Sequence, residues 1–175
     1  MTKYPLTSRM LHWLMAALII FMLALGSYMT EFLSKESVNR SEVYNLHKSF
    51  GVMVLILVLI RIINRLFKTP PALPSSISPL EKNLAHLGHF ALYILMLLTP
   101  ISGYLTSVSF GFPVHFFGIE LPALVEKNFD HGKIFAEAHE VLSYSLLAVV
   151  IIHILAVIKH RFFDRPENDV LQRML

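Results

Sequence analysis

Apolar residues in this chain gather into four long, nearly unbroken blocks. They do not alternate as in a half-buried strand or recur along one stripe as in a surface helix. A helix needs about 20 apolar residues to cross the hydrocarbon core of a bilayer, and each block is long enough. The first, 10–30, has no charge between Arg9 and Glu31. The second, 44–67, is charge-free from Ser49 to Ile60, with Arg61 and Arg65 near its end. The third, 80–109, lies in a stretch without charge between Lys82 and Glu120, and the fourth, 133–163, is uncharged from Val141 to Ile158. Soluble buried helices are seldom this long and this uniformly apolar. The pattern predicts one all-α domain over 1–175, an integral membrane four-helix bundle. The first block exceeds the roughly 7–15 apolar residues of a signal peptide. Ala24-Leu25-Gly26 is also a poor cleavage site, so a retained helix is expected.

The connections orient the bundle. With both termini cytoplasmic, the inside collects ten Lys and Arg (3, 9, 61, 65, 68, 82, 159, 161, 165 and 173) and the outside five (35, 40, 48, 127 and 133). That imbalance obeys the positive-inside rule. Thr69-Pro70-Pro71-Ala72-Leu73-Pro74 reads as a stiff linker between the second and third spans. The 110–132 connection is apolar and aromatic (Phe112, Phe116, Phe117) and is expected against the membrane surface. Pro100 predicts a kink in the third span, with Gly103 a second soft point.

Composition narrows the chemistry. Hydrophobic residues make up 55% and charged residues 15%, and the mean hydropathy is +0.60. The surroundings are therefore membrane lipid, and the net charge of +3 is too small and scattered for a nucleic-acid partner. There is no Cys, which excludes disulfides, thiolate metal sites, iron–sulfur clusters and thioether-attached haem. Nine His remain as strong ligands.

An ionisable residue inside a span is costly and marks function by default. His12 falls near the cytoplasmic start of the first span and His47 near the outer start of the second. His139 and His153 lie toward the outer and cytoplasmic ends of the fourth. The last two are 14 residues apart, about four helical turns, so they share a face about 21 Å apart along the axis. Pairing by depth joins His12 with His153 and His47 with His139. Two facing imidazole pairs in a four-helix bundle suit two haems, each with both axial positions filled, and leave electron transfer as the chemistry. Arg61, 14 residues after His47, is placed to meet haem propionates on the cytoplasmic side, and Arg9 is a second candidate. Gly26 and Gly51 would let a porphyrin approach the helices beside the outer pair. His86 and His89 sit three apart in the cytoplasmic half of the third span. Either is a haem ligand in place of His12, a quinone contact, or a polar helix–helix contact. His160 is a similar quinone candidate, and His115 and His131 belong to outer loops without an assigned role.

Other classes fit less well. A His-based metal transporter needs carboxylates along its path, and past the first residues of the third span the spans hold only Glu137 and Glu140, at one end of the fourth. A non-haem iron enzyme needs several histidine clusters, and His86-x-x-His89 is the one close pair within a span.

Several pieces of the sequence resemble the bacterial dihaem cytochromes b of the cytochrome b-561 type. They are Arg9-Met10-Leu11-His12-Trp13-Leu14, His47-Lys48-Ser49-Phe50-Gly51, Arg61, Leu84-Ala85-His86-Leu87-Gly88-His89, and His139 with His153. That family is related to the cytochrome b subunits of nickel–iron hydrogenase and formate dehydrogenase. The resemblance covers nearly the whole chain. It implies a multi-pass protein of the bacterial inner membrane with two haem b, held at the positions of His12/His153 and His47/His139. It also implies electron exchange with the quinone pool, ubiquinone being the expected acceptor. Some members are similar to superoxide:quinone oxidoreductases; others serve as haem-bearing anchors of a periplasmic dehydrogenase or hydrogenase. The donor expected at the outer face is accordingly a small molecule or a partner protein.

Overall fold

The structure, a computed structural model, describes residues 2–175. Four helices follow in order: α1 (Leu6–Glu31), α2 (Arg40–Phe67), α3 (Pro79–Ser109) and α4 (Phe129–Phe162). Each is long and apolar enough to cross a membrane. A two-stranded hairpin, β1 (His115–Phe116) and β2 (Ile119–Glu120), joins α3 to α4, and two 3₁₀ turns (Pro166–Asn168, Leu171–Arg173) follow α4.

Three of the helices begin four residues before the apolar blocks predicted from the sequence, at Leu6, Arg40 and Phe129. The backbone ladder continues past the first charged residues until a start signal ends it. For α1 that signal is Pro5, whose fixed φ (here −52°) leads into the first turn. For α4 it is Asn128, whose side-chain oxygen accepts from the N–H groups of Asp130 and His131 at 3.0 Å. The start of α3 carries a full capping box: Ser78 and Glu81 satisfy each other's backbone donors, with Pro79 at the first helical position. Beyond that, α3 runs without interruption through Pro100.

Neighbours in sequence pack on each other, α1 on α2, α2 on α3 and, most extensively, α3 on α4. Met15, Leu18, Ile19, Val54, Val58, Met96 and Leu146 meet in one buried apolar layer. Leu146 is seven residues from both His139 and His153, and Val54 is seven from both His47 and Arg61. The layer thus lies about 10 Å from either histidine level along the axis. Large apolar side chains such as Leu14, Ile20, Leu59 and Ile152 point outward, as a bilayer solvent permits.

One end of the bundle, the terminal end, gathers residues 2–5, the 68–78 linker and the segment after α4. Tyr4 N donates to Arg173 O at 3.0 Å, and Ser76 Oγ to Asn168 Oδ1 at 2.5 Å. The opposite, hairpin end is closed by β1–β2. Phe117 (φ 48°) and Gly118 (φ 94°) form its two-residue turn, and both stand in the left-handed region such hairpins require. The hairpin is tied to α2 rather than merely resting on the membrane surface. Ser49 Oγ donates to His115 O at 2.9 Å and accepts from Phe117 N at 3.2 Å, while Lys48 Nζ donates to Pro113 O at 2.8 Å. Phe112, Phe117 and Leu124 stay exposed on its outer side.

Candidate functional site

The helix register brings the histidines of three helices onto α4. Near the terminal end, the rings of His12 (α1) and His153 (α4) have centroids 6.3 Å apart at 65°. Toward the hairpin end, those of His47 (α2) and His139 (α4) are also 6.3 Å apart, at 89°. Both pairs combine the residues that depth and face joined in the sequence. All four lie partly buried between the helices.

The hairpin-end pair opens on a small cleft of about 60 Å³, lined by Met22, Gly51, Met96, Thr99 and Ser143 among others. His139 is held on three sides. Its Nδ1 lies 2.9 Å from Thr99 O and 3.2 Å from Ser102 Oγ. A carbonyl only accepts, so Nδ1 carries the proton and Nε2 keeps its lone pair. Gly103 forms the floor: a Cβ there would stand 2.8 Å from His139 Cε1. His47 Nδ1 is buried without a hydrogen-bond partner among the described residues. Gly26 and Gly51 are less constrained than expected from the sequence. Added Cβ atoms would meet His47 Cε1 at 3.6 Å and Met22 Cε at 3.9 Å, ordinary contacts.

The terminal-end pair has a more charged setting. Arg61 Nη2 lies 2.9 Å from His12 Nδ1, and the guanidiniums of Arg61 and Arg65 stand 5.8 and 5.6 Å from the centre of the Tyr93 ring. Arg9 Nε is buried without a partner among the described residues. His89 joins this cluster, its ring 5.6 Å from that of His153. His86 does not: it is exposed, because a three-residue step turns it about 60° away from His89. His160 sits two turns beyond His153, bonded through Nδ1 to Asp164 Oδ2 at 2.8 Å.

These residues fit the haem expected from the sequence. An imidazole nitrogen binds a first-row metal at about 2 Å. Two such bonds and two ring half-widths add to about 6 Å between centroids, close to the spacing both pairs show. His139 presents the tautomer a ligand needs, fixed by a backbone carbonyl as metal-binding histidines commonly are. The unpartnered nitrogens of His47 and Arg9 are groups a buried site leaves bare only with reason. At His12 the fit has a condition. A guanidinium only donates, so the present contact engages the Nδ1 lone pair. Ligation through Nε2 would put the proton on Nδ1 and would free Arg61 to pair with a carboxylate such as a propionate.

The sequence reading left out Thr99, Ser102 and the seat at Gly103. The small residues Ser102, Gly103 and Thr106, spaced as at close membrane helix contacts, were the signal that pointed there.

Comparison with known proteins identifies the family. The family described as "Prokaryotic cytochrome b561" matches residues 3–175. "Cytochrome b561 homolog 2" of Escherichia coli (strain K12) is 33% identical over 174 residues, spanning 99% of this chain and 91% of that protein. "Probable superoxide oxidase CybB" of Yersinia pestis is 30% identical over 173 residues, spanning 98% and 96%. The chain belongs to the prokaryotic cytochrome b561 family, multi-pass bacterial membrane cytochromes b that bind b-type haem and transfer electrons.

Proposed function

We propose that this protein is a one-electron relay across the bacterial inner membrane, accepting electrons from superoxide at the hairpin end and giving them to a quinone at the terminal end. The observation that carries the reading is the pair of facing imidazoles at each level, both 6.3 Å apart. His47 and His139 would hold one haem b, and His12 and His153 a second. A bis-imidazole haem supplies reversible one-electron chemistry with no open iron position for oxygen activation.

The chain's own residues do the rest. Thr99 and Ser102 orient His139, and the apolar layer around Leu146 keeps water from between the two levels. Arg9, Arg61 and Arg65 gather positive charge at the terminal end, favouring an added electron there. His160, anchored through Nδ1 by Asp164, keeps Nε2 for proton exchange with a quinone, whose reduction takes up protons. His89 stands inward beside His153, as the alternative partner for it. The outward His86 takes no part in the relay. Superoxide as donor is supported by the name of the Yersinia pestis relative. The ten-to-five distribution of basic residues supports a terminal end that faces the cytoplasm.

Rapid mixing tests the relay. The oxidised protein should gain reduced-haem absorbance on mixing with superoxide, and the reduced protein should lose it on mixing with a ubiquinone analogue. A protein inert to superoxide but reducible by quinol would overturn the donor and favour an anchor subunit.

A further inference from the structure

The thirteen residues after α4 look in sequence like a loose charged tail, yet they contain three of the chain's buried polar side chains: Asn168, Asp169 and Arg173, at 2, 5 and 3% exposure. Buried polar groups are stable only when paired, and each of these is. Asn168 Nδ2 donates to Asp164 Oδ1. Asp169 pairs with Arg161 and accepts from Leu171 N at 3.1 Å. Arg173 Nε donates to Thr2 O at 3.2 Å and Nη2 to Ala72 O at 2.9 Å, with its guanidinium over Tyr4. A segment fixed by so many directional contacts docks in one register. That register sets the carbonyl of Met174 2.8 Å from Nε1 of Trp13, the chain's only tryptophan.

Trp13 adjoins His12 in α1, and its ring meets that imidazole edge-on at 5.2 Å and 74°. A tryptophan at a membrane interface ordinarily turns its N–H to water or headgroups. Here the indole's one donor is spent on the protein. His12 is thereby held against Trp13, a contact that does not depend on the Arg61 bond that haem ligation would release.

We propose that Trp13 is a positioning residue for His12, and that the segment after α4, through the Met174 carbonyl, sets the plane of the His12 imidazole. The inference rests on the proposed assignment of His12 as a haem ligand and adds a structural element to it. The consequence is one-sided: loosening the segment disturbs the His12/His153 site and leaves His47/His139 alone, because the apolar layer separates them.

The test compares the parent with Trp13→Phe, which keeps an aromatic ring but removes the donor, and with a chain lacking residues 170–175. Low-spin EPR spectra and redox titrations are recorded on haem-loaded protein in detergent, with His12→Ala and His47→Ala identifying which signal belongs to which site. Both variants should shift only the signal that His12→Ala abolishes. Backbone hydrogen exchange over residues 6–15 should quicken by up to about tenfold, the response to losing one hydrogen bond's net contribution, with α3 unchanged. Should the shortened chain fail to fold, Trp13→Phe alone decides. Unaltered signals and exchange in that variant overturn the inference while leaving the relay intact; a parent that binds no haem overturns both.

Discussion

His139 rests on Gly103, and that contact is the most tightly defined at either histidine level. Gly103→Ala would place a methyl group 2.8 Å from the imidazole, so the ring or α3 must move. The expected cost is about 1–3 kcal/mol, typical of overpacking, read as a lower melting temperature in detergent together with a changed spectrum for the His47/His139 site alone. By contrast, Gly26→Ala meets His47 at an ordinary 3.6 Å and should leave the melting temperature nearly unchanged in protein free of haem. The four histidines were legible because depth and helical phase are properties of the sequence. The seat under His139 was not, because it depends on how α3 rotates against α4. His86 and His89 show the same limit: periodicity put them near one face, and only the packed helix shows that His89 turns in and His86 out.

At the level of elements, the helices were readable and their ends were not. Hydropathy follows lipid contact, whereas a helix ends where its hydrogen bonds are capped, as at Pro5 and Asn128. Ser78→Ala removes half of the α3 capping box and should cost about 1 kcal/mol, measurable by thermal unfolding. The segment after α4 escaped notice because short 3₁₀ turns carry no periodic signal. Its pH response has a definite sign. The Asp164 carboxyl is drawn down to about 2 from an ordinary 3.8, chiefly by the Asn168 side chain, then by Arg165 N–H and His160. A depressed acid contributes stability above its unfolded value and loses it as pH falls through the folded one. Asp164→Asn should therefore lower the melting temperature at pH 6, with the gap to the parent closing between about pH 4 and pH 2. A gap independent of pH would show that the carboxylate charge plays no part.

For the whole molecule, topology and cofactor loading carry the account. The absence of cysteine makes single introduced thiols unambiguous reporters. Ser75→Cys, in the linker at the terminal end, should be labelled by a membrane-impermeant reagent only from the cytoplasmic side. Ser34→Cys, in the α1–α2 loop, should be labelled only from the periplasmic side, and the reverse pattern would invert the proposed direction of electron flow. The same missing cysteines that excluded most redox centres leave paired histidines as the proposed ligands of the iron, two levels about 21 Å apart along α4. The most direct test is the haem content of the purified protein and of its His139→Ala and His153→Ala variants, measured as haem b per chain with the low-spin spectrum of bis-imidazole iron. The account predicts two haems per parent chain and fewer than two low-spin bis-imidazole haems in each variant. A parent with a single haem, or variants that keep both with unchanged spectra, would contradict it.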